Sequence, residues 1–393
     1  MGRHRFEVSR NVCIFIIIFL LVGIAGFFFI ERKRNDSIII GFSAQLTGRQ
    51  AELGVQERNG VQLAVEKINA DGGIAGRKIS LIIHDDLGIP EEAQSGDHEL
   101  IKKGAVAIIG HATTAQTLAG LKVTDSQQVV MISPTVSTSE LSGLDDYFFR
   151  VYPSFEKSSE NFAKYAYKVN GITRMAVIYD IDNLAYSKTY SKVFAHEFQS
   201  LGGEITDQVS FSSADHPDFS PLLSKLQESE AEGLLIVASD IDTAFIAQKA
   251  RLMGWQIPMF TSAWAQTETL INNGGKAVEG MKLEQSYTLA NKSQSFIDFQ
   301  SRYKARFGKE PSFGAAFSYE ATLVLSDALK KTNGNKAGLK QALLETHHFN
   351  GIMDDFSFDR FGDVERPWYL STVRNGKFVI VDKLASINFG GIK

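Results

Sequence analysis

From residue 37 onward, short β-branched and apolar runs alternate with longer stretches in which apolar positions recur every three or four residues. The first pattern suits strands buried on both faces, and the second suits helices that lay one face on a sheet. Strands are expected over 38–43, 78–84, 105–109 and 129–132, with helices over 56–69, 91–103 and 114–126 between them. A second series follows the segment "YFFRVYP". It opens with a helix over 155–169 and continues with strands over 175–179, 204–211, 233–238 and 257–261, alternating with helices over 186–201, 219–228 and 242–253. Residues 280–287 read as a strand or linker, and helices are expected over 294–307, 313–330 and 337–345. The tail alternates apolar and polar positions around Asn375-Gly376, the signal of a hairpin with a two-residue turn. This alternation of strand and helix predicts an α/β protein with two doubly wound, mainly parallel sheets.

Before residue 37 the pattern changes. Residues 12–30, "VCIFIIIFLLVGIAGFFFI", hold no charged side chain and are long enough to cross a bilayer as a helix. Arg3, Arg5 and Arg10 precede the run and Arg32, Lys33 and Arg34 follow it, so charge does not orient it. A signal-anchor over 1–36, with a transmembrane helix over 12–30, is expected, because the apolar run continues past the small residues Gly23 and Ala25. A cleaved signal peptide is the alternative.

Charge and cysteine content narrow the function classes. The 41 basic and 45 acidic residues are scattered and give a net charge of -4, so no nucleic-acid partner is expected. Cys13 is the one cysteine and lies in the apolar run, which excludes an intrachain disulfide, a cysteine metal cluster and a cysteine nucleophile.

The candidate chemistry sits at strand ends. The stretch "AVAIIGHATTAQTLAG", residues 105–120, ends a strand on a glycine and opens a helix around Thr113 and Thr114. The next strand ends in "ISPTVSTSE", which carries Ser133, Thr135 and Ser137. Open α/β sheets bind ligands beyond the carboxyl ends of their strands, and free N–H groups at a helix start suit a carboxylate. The same residues also suit a helix cap and a turn, and both readings stand at this level. Catalysis finds little support, since His111 adjoins hydroxyls but no G-x-S-x-G elbow is present. In "HDDLGIPEEA", residues 84–93, the two aspartates offer too few ligands for a hard metal and suit a loop cap, with Pro90 opening a helix. "GGIAG", residues 72–76, follows a helix and reads as its C-cap and turn, not as a phosphate loop. No metal or cofactor is expected. In the second series Tyr186, Asp240, Asp242 and Trp264 fall just past strand ends and are candidates for a facing wall.

The segment "GVQLAVEKINADGGIAGRKISLIIHDD", residues 60–86, with "VVMISPTVST", "YFFRVYP", "FGAAFSYEATLVLSDAL" and "FSFDRFGD", resembles the leucine/isoleucine/valine-binding solute receptors of bacterial ABC transporters. The resemblance extends over 38–393 and implies a type I periplasmic-binding-protein fold of two hinged lobes. One lobe would hold 37–150 plus 284–351, and the other 151–283 plus 352–393. It further implies a monomeric receptor without enzymatic activity that faces the periplasm or cell exterior, where the apolar run over 12–30 would anchor it in the membrane. Such a receptor passes a small carboxylate-bearing ligand, such as an amino acid, to an ABC permease. Thr114, Thr135, Ser137 and Ser133 match the family's carboxylate-binding loops, and Tyr186 matches its second-lobe tyrosine.

The chain also departs from that pattern. Ala263 and Trp264 stand where amino-acid-binding members carry an acidic partner for the ligand ammonium, and Leu53 replaces an aromatic residue in the first loop. Asp240 or Asp242 would have to supply the missing charge; if neither does, an aromatic or aliphatic carboxylic acid or an amide fits better than an amino acid. A ligand-sensing ectodomain is the alternative role.

Overall fold

The computed structural model describes residues 37–387. The expected membrane helix over 12–30 lies outside the described residues, and among those described no helix is long and apolar enough to cross a membrane.

Strands β1 (Ile38–Ala44), β2 (Ile79–Asp85), β3 (Ala107–Gly110), β4 (Val130–Ser133) and β5 (Phe148–Arg150) form a wholly parallel sheet in the order β2-β1-β3-β4-β5. Helices α1 (Glu52–Ala70), α2 (Pro90–Lys102) and α3 (Thr114–Ser126) join the first four strands. Every residue of β3 and β4 is buried, as helices on both faces of a sheet require. Strand β5 was not expected. Its three residues are too few to show a period, and it forms by pairing Phe148 and Phe149 with Met131 and Ile132.

The second sheet runs β12-β11-β10-β9-β8-β6-β7. Its strands are β6 (Arg174–Asp180), β7 (Glu204–Phe211), β8 (Gly233–Val237), β9 (Met259–Thr261), β10 (Lys282–Gln285), β11 (Tyr369–Val373) and β12 (Phe378–Lys383). The block from β7 to β10 is parallel, whereas β11 and β12 pair antiparallel. Its helices are α4 (Glu156–Lys164), α5 (Leu184–Ser200), α6 (Ser220–Glu228), α7 (Asp240–Leu252) and α8 (Glu268–Gly274). Asn375 and Gly376 both take positive φ, 53° and 65°, in the β11-β12 turn, the conformation that the Asn-Gly pair favours.

Between β10 and β11 the chain returns to the first sheet through α9 (Gln294–Phe307), α10 (Phe313–Lys331) and α11 (Leu339–Leu344). Helix α10 lies along α1 so closely that a Cβ on Gly60 would fall 2.2 Å from the Ala315 carbonyl oxygen. Residues up to Gly362 still rest on the first sheet, with Phe358 packed 5.3 Å from Phe149 and the Arg150 N–H donating to the Gly362 carbonyl at 3.1 Å. The chain thus passes between the sheets after Arg150, after Gln285 and before Tyr369. Tyr152, in the first passage, packs on Phe317 of α10 at 4.7 Å and on Trp368 of the last passage at 5.5 Å.

Candidate functional site

Glycine is required where β3 ends. Gly110 has a φ of 146°, and a Cβ there would lie 2.2 Å from the Ser43 carbonyl oxygen. Three residues later the chain is extended at Thr113, and α3 begins at Thr114. The neighbouring β4 ends at Ser133, whose hydroxyl donates to the His111 carbonyl at 3.0 Å and accepts from the Val136 N–H at 3.1 Å. That serine pins the two strand-end loops side by side.

His111 is buried and structural. Its Nδ1 lies 2.8 Å from Asp86 Oδ2, at the end of β2, and its Nε2 lies 3.0 Å from Asp97 Oδ2, on α2. Burial alone would disfavour the imidazolium, but the Asp97 and Asp86 carboxylates outweigh it and hold the group up at about 10. Asp86 also accepts the Gly88 N–H at 2.9 Å, in the loop-capping role expected of it. Among the described residues no cluster of His, Cys, Asp or Glu is placed to hold a metal.

Between the carboxyl ends of the two sheets lies a partly open cavity. The first sheet contributes Thr113, Thr114, Thr135 and Ser137, and the second contributes Asn183, Tyr186, Ala263 and Trp264. Leu53, Phe313 and the ring of Tyr152, whose buried hydroxyl has no partner among the described residues, complete its walls. Tyr186 and Trp264 meet edge to face at 5.7 Å, which fixes both rings. Thr114 and Ser137 make no side-chain hydrogen bond among the described residues, so both hydroxyls are available to a ligand beside the N-terminal N–H groups of α3.

Six of the eight expected site residues therefore meet in one cavity; Ser133 and Asp240 do not line it. The Ser133 hydroxyl is used up within the loop. Asp240 is the first residue of α7 and accepts the Thr267 hydroxyl and the Ile241 N–H; burial pushes its carboxyl up to about 6. Asp242 is taken as well: it accepts Ser213 at 2.6 Å and Ser239 at 2.9 Å, and Arg49 donates to it through Nε at 2.9 Å and Nη2 at 2.6 Å. Arg49 belongs to the loop between β1 and α1, so this ion pair spans the cleft, as does the bond from Gln50 to Asp180 at 2.6 Å. Tyr152, Asn183 and Phe313 were missed. They come from a passage between sheets and from two helix starts, positions with no signal beyond an aromatic or amide side chain.

Three buried groups make the fold prefer acid. Burial raises Glu57 to about 8 against the bond from Thr135, and raises Glu284 to about 8 against the bond from Tyr190, while His111 stands at about 10. In each case the folded chain holds protons that the unfolded chain has released. Stability is then greatest below the unfolded values and declines as pH rises from about 5 to about 10, by about 1.4 kcal/mol per pH unit for each group caught between its two values. Tm measured across that range should fall; a flat or rising profile would contradict these assignments.

The sequence profile of the periplasmic binding protein family matches residues 37–377. A Leu/Ile/Val-binding protein homolog from Brucella melitensis is 25% identical over 334 residues, 84% of this chain and 89% of its own length. A leucine-binding protein from Thermotoga maritima superposes with a TM-score of 0.81 at 26% identity, covering 88% of this chain and 98% of its own. A solute-binding protein of an ABC transporter from R. palustris, in complex with benzoate, shares the fold with a TM-score of 0.79 at 18% identity, covering 88% and 96%. Two mainly parallel sheets, three passages between them and a cavity at their facing strand ends agree with that match, and the chain belongs to the periplasmic binding protein family.

Proposed function

We propose that this chain is the extracytoplasmic solute-binding component of an ABC importer, and that its ligand is a small aromatic carboxylate without an amino group. The permease partner, a membrane tether and the absence of enzymatic activity belong to the same proposal. So does the division into two lobes, which would close on the ligand by hinging at the three passages.

The observation that carries the reading is the composition of the cavity. The unbonded hydroxyls of Thr114 and Ser137 and a helix N-terminus supply donors for a carboxylate, aromatic rings form the walls, and among the described residues no Asp, Glu, Lys or Arg lines it. An ammonium group there would be buried without a counter-charge, at a cost of several kcal/mol. The relatives carry both chemistries in their names, leucine in one and benzoate in another, and the lining supports the second reading.

Calorimetry on the purified protein with benzoate, its neutral isostere benzamide, and leucine tests this. Benzoate should bind about 100-fold more tightly than either, the ratio expected when a charge-assisted contact is lost or an uncompensated charge is buried. Leucine binding more tightly than benzoate would overturn the ligand assignment in favour of an amino acid.

A further inference from the structure

The hydroxyls of the cavity are not equivalent. Thr135 Oγ1 lies 2.6 Å from Glu57 Oε1 and 2.9 Å from the carbonyl oxygen of Ala112. A hydroxyl has one hydrogen, and a carbonyl cannot donate. If Glu57 is neutral, its proton fills the 2.6 Å contact and the Thr135 hydrogen goes to Ala112. If Glu57 is ionised, the Thr135 hydrogen goes to one of the two oxygens. In both states that hydrogen stays within the protein, and Thr135 offers the cavity only a lone pair.

The neutral acid is the state that satisfies both contacts. Glu57 is buried, its Oε2 has no partner, and burial pushes its carboxyl up to about 8. Thr113 is bound in the same way. Its hydroxyl donates to Gln116 Oε1, and Gln116 is oriented by its own amide donating to the Gly88 carbonyl. Asn183 Oδ1 is a third acceptor lining the cavity, buried with no donor among the described residues.

The lining is therefore divided. Thr114 and Ser137, and the Tyr152 hydroxyl, which has no partner among the described residues, can give hydrogens, whereas Thr113, Thr135 and Asn183 Oδ1 can only receive them. An ionised carboxylate has no hydrogen to give, so a ligand with nothing else would leave Asn183 Oδ1 without a donor and the free lone pair of Thr135 unused.

We propose that the ligand carries, besides its carboxylate, an uncharged O–H donor that bonds the Thr135 oxygen, so that the cavity selects hydroxylated aromatic acids over plain or O-alkylated ones. Glu57 acts as the positioning residue that keeps the Thr135 hydrogen out of the cavity. The inference rests on the carboxylate reading above and refines it.

Binding of benzoate, the three hydroxybenzoate isomers and their methyl ethers can be measured by calorimetry for the wild type, T135V, T135A, T135S and E57Q. In the wild type, one hydroxybenzoate should bind about tenfold or more tightly than its own methyl ether and than benzoate. T135V and T135A both remove the acceptor, so that either can serve if the other fails to fold. Each should bring that ratio to within about twofold; T135S should keep the ratio, as should E57Q, whose amide donates as the neutral acid does. A wild type that treats every hydroxybenzoate like its ether would overturn the inference, and so would a ratio that survives in T135V or T135A. Either result leaves the carboxylate reading standing as long as benzoate outbinds benzamide, whereas leucine binding more tightly than every benzoate would overturn both.

Discussion

The double variant T114A/S137A is expected to lose about 100-fold or more of its benzoate affinity while unfolding within a few degrees of the wild type. Both parts follow from the same observation. Neither hydroxyl bonds a protein group among the described residues, so removing them strands no partner and costs little stability. Each can donate to a ligand carboxylate, and hydrogen bonds to charged groups contribute about 1.5–3 kcal/mol apiece. Calorimetry and a thermal melt on one preparation separate the effects. Unchanged affinity would place the carboxylate elsewhere, and a large drop in Tm would make the hydroxyls structural.

His111→Leu is expected to have the opposite profile, a loss of about 3–5 kcal/mol of folding stability, the usual cost of removing one partner from a buried ion pair. Without the imidazolium, Asp86 and Asp97 face each other with side chains 1% and 0% exposed, and one or both must be protonated or solvated. The damage should extend to binding, because His111 ties β2, α2 and the end of β3 at the point where the chain turns toward Thr114. The midpoint of urea unfolding reports the first effect. A variant as stable as the wild type would mean that the three side chains do not act as a charged unit.

Much of the fold was legible because strand and helix periods differ and their boundaries carry turn residues. The ranges 204–211 and 294–307 coincide with β7 and α9 residue for residue. On the first-sheet side, the loop positions were readable because chain order places strand ends together. Side-chain direction was not. Asp240 and Asp242 follow a strand end as a binding residue would, yet Thr267 claims one and Arg49 with two serines claims the other, partners far apart in sequence. The role of His111 was hidden for the same reason, since its two carboxylates lie on different elements. The walls from Tyr152 and Phe313 escaped notice because each begins or joins an element and obeys no period.

The contact between Arg49 and Asp242 has a consequence for the transport reading. On that reading, closure would draw part of its free energy from this clasp, and from Gln50 on Asp180, whether or not the cleft holds cargo. A closed outline alone is then a poor signal of loading, and a permease that recognised only the outline would hydrolyse ATP in empty cycles. Discrimination would fall instead to dwell time. An empty receptor would then reopen once the clasp breaks, while a loaded one would also have to break its grip on the solute, so the clasp would set the shortest closed interval against which a productive handover is distinguished.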